Sequence, residues 1–77
     1  MQQWETLGEL QEGIEAFVRL FGRASMLDIC RHTAKHGVER FQTIHTVHAL
    51  RDAGRLVQLH PEDGTYGFVF QLPKEGQ

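Results

Sequence analysis

Cys30, His32 and His36, followed by His45 and His48, are the side chains of this sequence with the most chemistry in them. Cys30-x-His32-x3-His36 puts a thiol and two imidazoles within one short stretch, which raises the question of zinc. On a helix His32 and His36 share a face at i, i+4, and His45 and His48 share one at i, i+3. Zinc sites, however, are built from CxxC or paired Cys/His knuckles. Here the single cysteine falls on the inward side of its helix, where a free Cys behaves as a small buried hydrophobe. No metal and no other cofactor is expected. The imidazoles titrate near about 6.5, so they could make anion or partner binding depend on pH; the simpler expectation is polar surface residues. Covalent catalysis is not expected either. Cys30 and His32 point apart on a helix, and the sequence has no nucleophile elbow, phosphate-cradling Gly loop or flanking carboxylate pair. A chain this small leaves little room for a concave site of ~300 Å³ or more, so neither an enzyme nor a small-molecule substrate is indicated.

The charge is unevenly distributed. Residues 1–22 carry net −3, residues 23–60 carry net +3 together with all five histidines, and residues 61–77 carry net −2. An acidic start beside a basic, His-rich middle is the asymmetry of a small anion-binding module. The remaining composition is that of an ordinary globular chain, with 40% hydrophobic and 23% charged residues over 77 positions. That length implies one domain, residues 1–77, with a core over about 5–72 and a flexible tail at 73–77. One cysteine excludes an internal disulfide and suits a reducing cytoplasm. There is no apolar run approaching the ~20 residues of a membrane span, so no membrane partner is expected. The first residues, Met-Gln-Gln-Trp-Glu, lack the basic and apolar regions of a signal peptide.

The elements that must hold these side chains follow from periodicity. Trp4, Leu7, Leu10, Ile14, Phe17, Val18 and Phe21 recur at spacings of three and four, which predicts a helix over roughly 6–21 ended by Gly22. Gly13 within it costs ~1 kcal/mol against Ala and marks close packing. A brief strand fits residues 23–26. Ser25 caps a second helix, with Leu27, Ile29, Cys30, Thr33 and Ala34 facing inward and Gly37 as its stop. A third helix runs from about 39 or 40 to 53, with Thr43, Ile44, Val47 and Leu50 inside and Gly54 after it. Arg55–His60 reads as a strand, Pro61-Glu62-Asp63-Gly64 as a turn, and Thr65–Leu72 as an alternating strand with Tyr66, Phe68, Phe70 and Leu72 on one side.

Three stretches in this order resemble the winged helix-turn-helix family. Gly37-Val38 fits the turn of the motif. Leu50-Arg51-Asp52-Ala53-Gly54-Arg55-Leu56-Val57 fits the end of a recognition helix running into a strand, and Asp63-Gly64-Thr65-Tyr66 fits a wing turn. The resemblance covers roughly 5–72. It implies an α+β fold of three helices packed on a C-terminal two- to three-stranded β-hairpin wing. It also implies sequence-specific duplex DNA binding through a recognition helix at about 39–53, as in a small bacterial or phage transcriptional regulator of the cytoplasm or nucleoid.

On that resemblance, Arg40, Gln42, His45 and Thr46 would read bases. Arg40 suits guanine or phosphate and Gln42 suits adenine. Ser25, Arg31, Lys35 and Arg55, with Arg23 beside them, would hold phosphates. Four or five such contacts bind loosely, so a homodimer or a carrier partner is implied; Trp4 with the apolar first helix could offer a dimer seam, although covering the hydrophobic core is the more ordinary use of a tryptophan and the expected one. The sequence departs from the family pattern at Glu39, at the acidic wing tip Glu62-Asp63, and at His36 where an apolar residue is usual. These departures suit an alternative, a winged-helix module that docks on a larger protein as adaptor or inhibitor and does not bind DNA.

Overall fold

The structure, a computed structural model, describes residues 3–59 and 68–74. The element order is α1 (Leu7–Phe21), β1 (Ala24–Ser25), α2 (Met26–Ala34), α3 (Arg40–Asp52), β2 (Val57–Leu59) and β3 (Val69–Gln71). It is a small α+β fold of three helices and a three-stranded antiparallel sheet in the order β1-β3-β2. The order of elements matches the one read from periodicity. The turn at 61–64, the acidic residues Glu62 and Asp63, the strand residues His60, Thr65 and Tyr66, and the end of the tail at 75–77 lie outside the described residues.

The first two helices begin where a side chain takes an orphan amide. Thr6 Oγ1 accepts from the Glu9 amide at 3.1 Å, and Glu9 Oε1 accepts from the Thr6 amide at 3.2 Å, a complete capping box for α1. Ser25 Oγ accepts from the Asp28 amide at 3.1 Å to cap α2. Gly22, Gly37 and Gly54, the three expected stops, all take positive φ.

Leu10, Ile14 and Val18 of α1 meet Ile29 of α2, Val47 and Leu50 of α3, and Leu56 and Phe70 from the sheet side. β3 is central in the sheet, pairing Phe70 with both Ala24 and Gln58, and this drives the Phe70 ring to the middle of the core. Its neighbour two residues back, Phe68, was expected on the same covered side but is exposed. On α2 the inner face is Ile29, Cys30 and Thr33, whereas Leu27 and Ala34, expected inside, are exposed. A nine-residue helix touches its neighbours along one narrow stripe, and Leu27 falls off it.

Trp4 packs against the core and lies over Gly13, where an added Cβ would run into its ring atoms. The close packing expected at Gly13 is therefore this contact. The indole is stacked on His36 at 3.9 Å between ring centroids, and the Trp4 amide donates to the His36 carbonyl at 3.0 Å. His36 thus fills its position as an aromatic partner, and Trp4 covers the core, as expected of it. No helix among the described residues is long and apolar enough to cross a membrane.

Candidate nucleic-acid interface

The packed face of α3 is Thr43, Thr46, Val47 and Leu50, spaced i, i+3, i+4, i+7. Thr33 and Thr43 fix its phase, because their buried hydroxyl oxygens lie 2.6 Å apart across the α2–α3 contact. At about 100° per residue, that phase turns Phe41, His45, Asp52 and the half-buried His48 outward, with Gln42 and Ala49 on one flank and the half-buried Ile44 on the other.

Of the four base-reading residues expected from the sequence, Arg40, Gln42 and His45 are exposed on the first two turns of α3. Thr46 is not, and its assignment to the outer face is corrected. It is 5% exposed, and its hydroxyl donates to the Gln42 carbonyl at 2.8 Å, which satisfies it inside the core. A threonine that bonds its own helix four residues back behaves as an inner residue of valine shape. The polar type concealed this, and the half-buried Ile44 was given the fourth place in the stripe.

Phe41 was absent from the expected site, yet it is 61% exposed at the centre of the outer face. The Arg40 guanidinium lies over its ring at 5.7 Å from the centroid. The signal was in the sequence: two residues before Thr43 is about 200° around the helix, on the opposite side. At the mouth of α3, Glu39 takes the N-cap position, but its side chain makes no capping bond. The amides of the first turn therefore keep the partial positive charge of a helix N-terminus, next to Arg40.

The four expected phosphate contacts do not assemble around this face. Ser25 is spent on its cap, and the Met26 amide beside it donates to the Phe68 carbonyl at 3.0 Å, so two amides of that turn are used internally. Arg55 Nε lies 2.6 Å from Glu15 Oε1, so its charge is paired with a carboxylate of α1. Arg51 is likewise held by Asp52 at 3.0 Å and by Gln58 at 2.7 Å. Arg31 and Lys35 are exposed but lie on the side of α2 turned towards α1.

There they line a groove of about 370 Å³ with Phe17, Phe21, Arg23, Ala24, Asp28 and His32. A concave site of this size was not expected in so short a chain. It arises because α1 ends at Gly22 and the chain turns sharply into β1, leaving the Phe17–Phe21 end of α1 beside an α2 flank of polar residues.

His32 is also not a plain surface residue. It stacks on Phe17 at 4.4 Å, and its ring lies 5.6 Å from Trp4 and 5.0 Å from His36. Burial first, then the neighbouring His36 and Lys35, lower its pKa from the usual value. Cys30 lies on the other side of α2. Burial raises its thiol pKa, and the Arg40 charge works against that rise. Among the described residues no three His, Cys, Asp or Glu side chains are grouped to hold a metal ion. Comparison of the chain with known protein families, curated proteins and solved structures finds no match.

Proposed function

We propose that the chain is a winged helix-turn-helix domain that binds duplex DNA through the first half of α3, as a small regulator of transcription in a bacterial or phage-like cytoplasm. The observation that carries this reading is the outward face of α3. Phe41 and His45 face outward with Gln42 on their flank, and Arg40 stands exposed at the open N-terminus of a helix locked on its other side into the core. In a major groove Arg40 would meet guanine or a phosphate, Gln42 adenine, and Phe41 the methyl group of thymine. The helix order and the three-stranded antiparallel sheet are consistent with this arrangement.

The charge placement makes it a weak binder as one copy. Arg40 is the cation on α3 with no carboxylate partner among the described residues. With two to four phosphates neutralised, the slope of log K against log salt would be about −2 to −4. Two copies on a repeated site, or a carrier, would supply the rest. Selection of bound duplexes from a random pool tests the reading. An enriched sequence that Gln42→Ala with His45→Ala no longer prefers is expected, and a pool without enrichment at low salt contradicts it.

A second reading, docking on a protein, is favoured by one observation. Phe41 and Leu27 are exposed apolar side chains on α3 and α2, at 61% and 58%. A partner groove would cover them as anchors, and the absence of a phosphate clamp around α3 would then cost nothing.

A further inference from the structure

We propose that the groove between α1 and α2 binds a small aromatic carboxylate. Its floor is aromatic: Phe17 and Phe21 pack at 4.9 Å between centroids, and His32 stacks on Phe17. Phe21 is 63% exposed, so a large apolar surface is left open there. The banks are basic. Arg31 on α2 and Lys35 at its C-cap stand at i, i+4, and Arg23 follows the turn at Gly22 on the other bank. Among the described residues no ion pair or hydrogen bond engages these three cations, and Asp28 is the one acid in the lining. The groove therefore carries an excess of positive charge over an apolar base.

That combination selects the ligand class. Inorganic phosphate would meet the cations and leave Phe17 and Phe21 uncovered. A neutral aromatic would cover the rings and leave the cations unused. An aryl carboxylate does both, with its ring on Phe21 and Phe17 and its carboxylate between Arg31, Lys35 and Arg23, where a bidentate bond to a guanidinium is available. The volume, about 370 Å³, lies at the lower end of the range for small-molecule sites. The inference is independent of the α3 reading, since the groove lies on the flank of α2 turned towards α1.

The test is a titration of the full chain with phenylacetate, followed at the amides of residues 21–35. Acetate, 2-phenylethanol and inorganic phosphate serve as comparisons. Saturable shifts are expected with phenylacetate, with binding about tenfold tighter than for any comparison. Arg31→Gln combined with Lys35→Gln should weaken it about tenfold, and so should Phe21→Ala. All three residues are exposed, so the amide spectrum should survive in both variants. Equal binding of 2-phenylethanol or of phosphate would overturn the proposal. So would unchanged affinity in the charge variant, or the lack of a saturable response at 21–35. Shifts on α3 alone would likewise overturn it.

Discussion

The Thr33 and Thr43 hydroxyl oxygens lie 2.6 Å apart with both side chains wholly buried, and this contact sets how α3 is turned against α2. Each hydroxyl also has a carbonyl within reach, Cys30 at 3.1 Å and Glu39 at 3.3 Å; with two protons for three contacts, one proton joins the pair and the other goes to one of the carbonyls. Removing one partner leaves a buried oxygen short of a bond. Thr33→Val or Thr43→Val alone should cost about 1–3 kcal/mol in urea unfolding. The double variant should cost less than the sum, because no orphaned hydroxyl remains. Additive losses would mean that the two do not act as a pair.

Gly13 makes a second prediction of unusual sign. On an open helix face Gly→Ala stabilises by about 1 kcal/mol. Here the new Cβ meets the Trp4 ring and would push it off His36, so Gly13→Ala should instead destabilise by ~1–3 kcal/mol. In a Trp4→Ala background the same change should become stabilising. Thermal unfolding of the four chains in the cycle decides it, and the prediction fails if Gly13→Ala has the same sign in both backgrounds.

Arg55 separates a structural cation from a ligand-binding one. Its side chain is 45% exposed and its partner Glu15 17% exposed, so the pair is screened and its loss should cost no more than about 1 kcal/mol. Arg55→Gln should leave DNA affinity and its salt slope unchanged, while Arg40→Gln should make that slope shallower by about 0.9. Anisotropy titrations across a salt series measure both. A shallower slope in the Arg55 variant would restore it as a phosphate contact.

His32 gives the fold a pH dependence with a definite sign. Burial, then His36 and Lys35, hold its pKa below the usual 6.5. Trp4 and Phe17, which also pack on the ring, are uncharged, and Arg23, Arg31 and Asp28 share the groove that it lines. The unfolded chain therefore takes up this proton at a higher pH than the folded chain does. Stability from this group is full above about 6.5, falls on acidification, and levels off once folded His32 is protonated as well. His32→Phe, which keeps a ring against Phe17, should flatten that decline in the melting temperature. A decline just as steep in the variant would assign the proton to another group.

The order of elements was legible because each element carries its own signal: apolar spacing in α1, a hydroxyl cap at Ser25, and glycine at each helix end. The site was less so. Thr46 reads as an outer residue by type and is inner by position, and only the tertiary stripe distinguishes the two. Arg55 and Glu15 are forty residues apart, so nothing local announces their ion pair. The groove has no sequence signature either, since Phe21, Arg23 and Lys35 come together only once α1 and α2 are packed. Phe41 was within reach of the helical period, but an exposed phenylalanine runs against the ordinary burial rule.

The most direct measurement is an amide-resolved NMR titration of the labelled chain with a mixed-sequence DNA duplex, at low and then physiological salt. The account predicts shifts centred on residues 39–49 that weaken as salt rises, with the residues around Arg55 unaffected. No shift on α3 even at low salt, where screening is least, would contradict it and turn α3 into a surface for a protein partner.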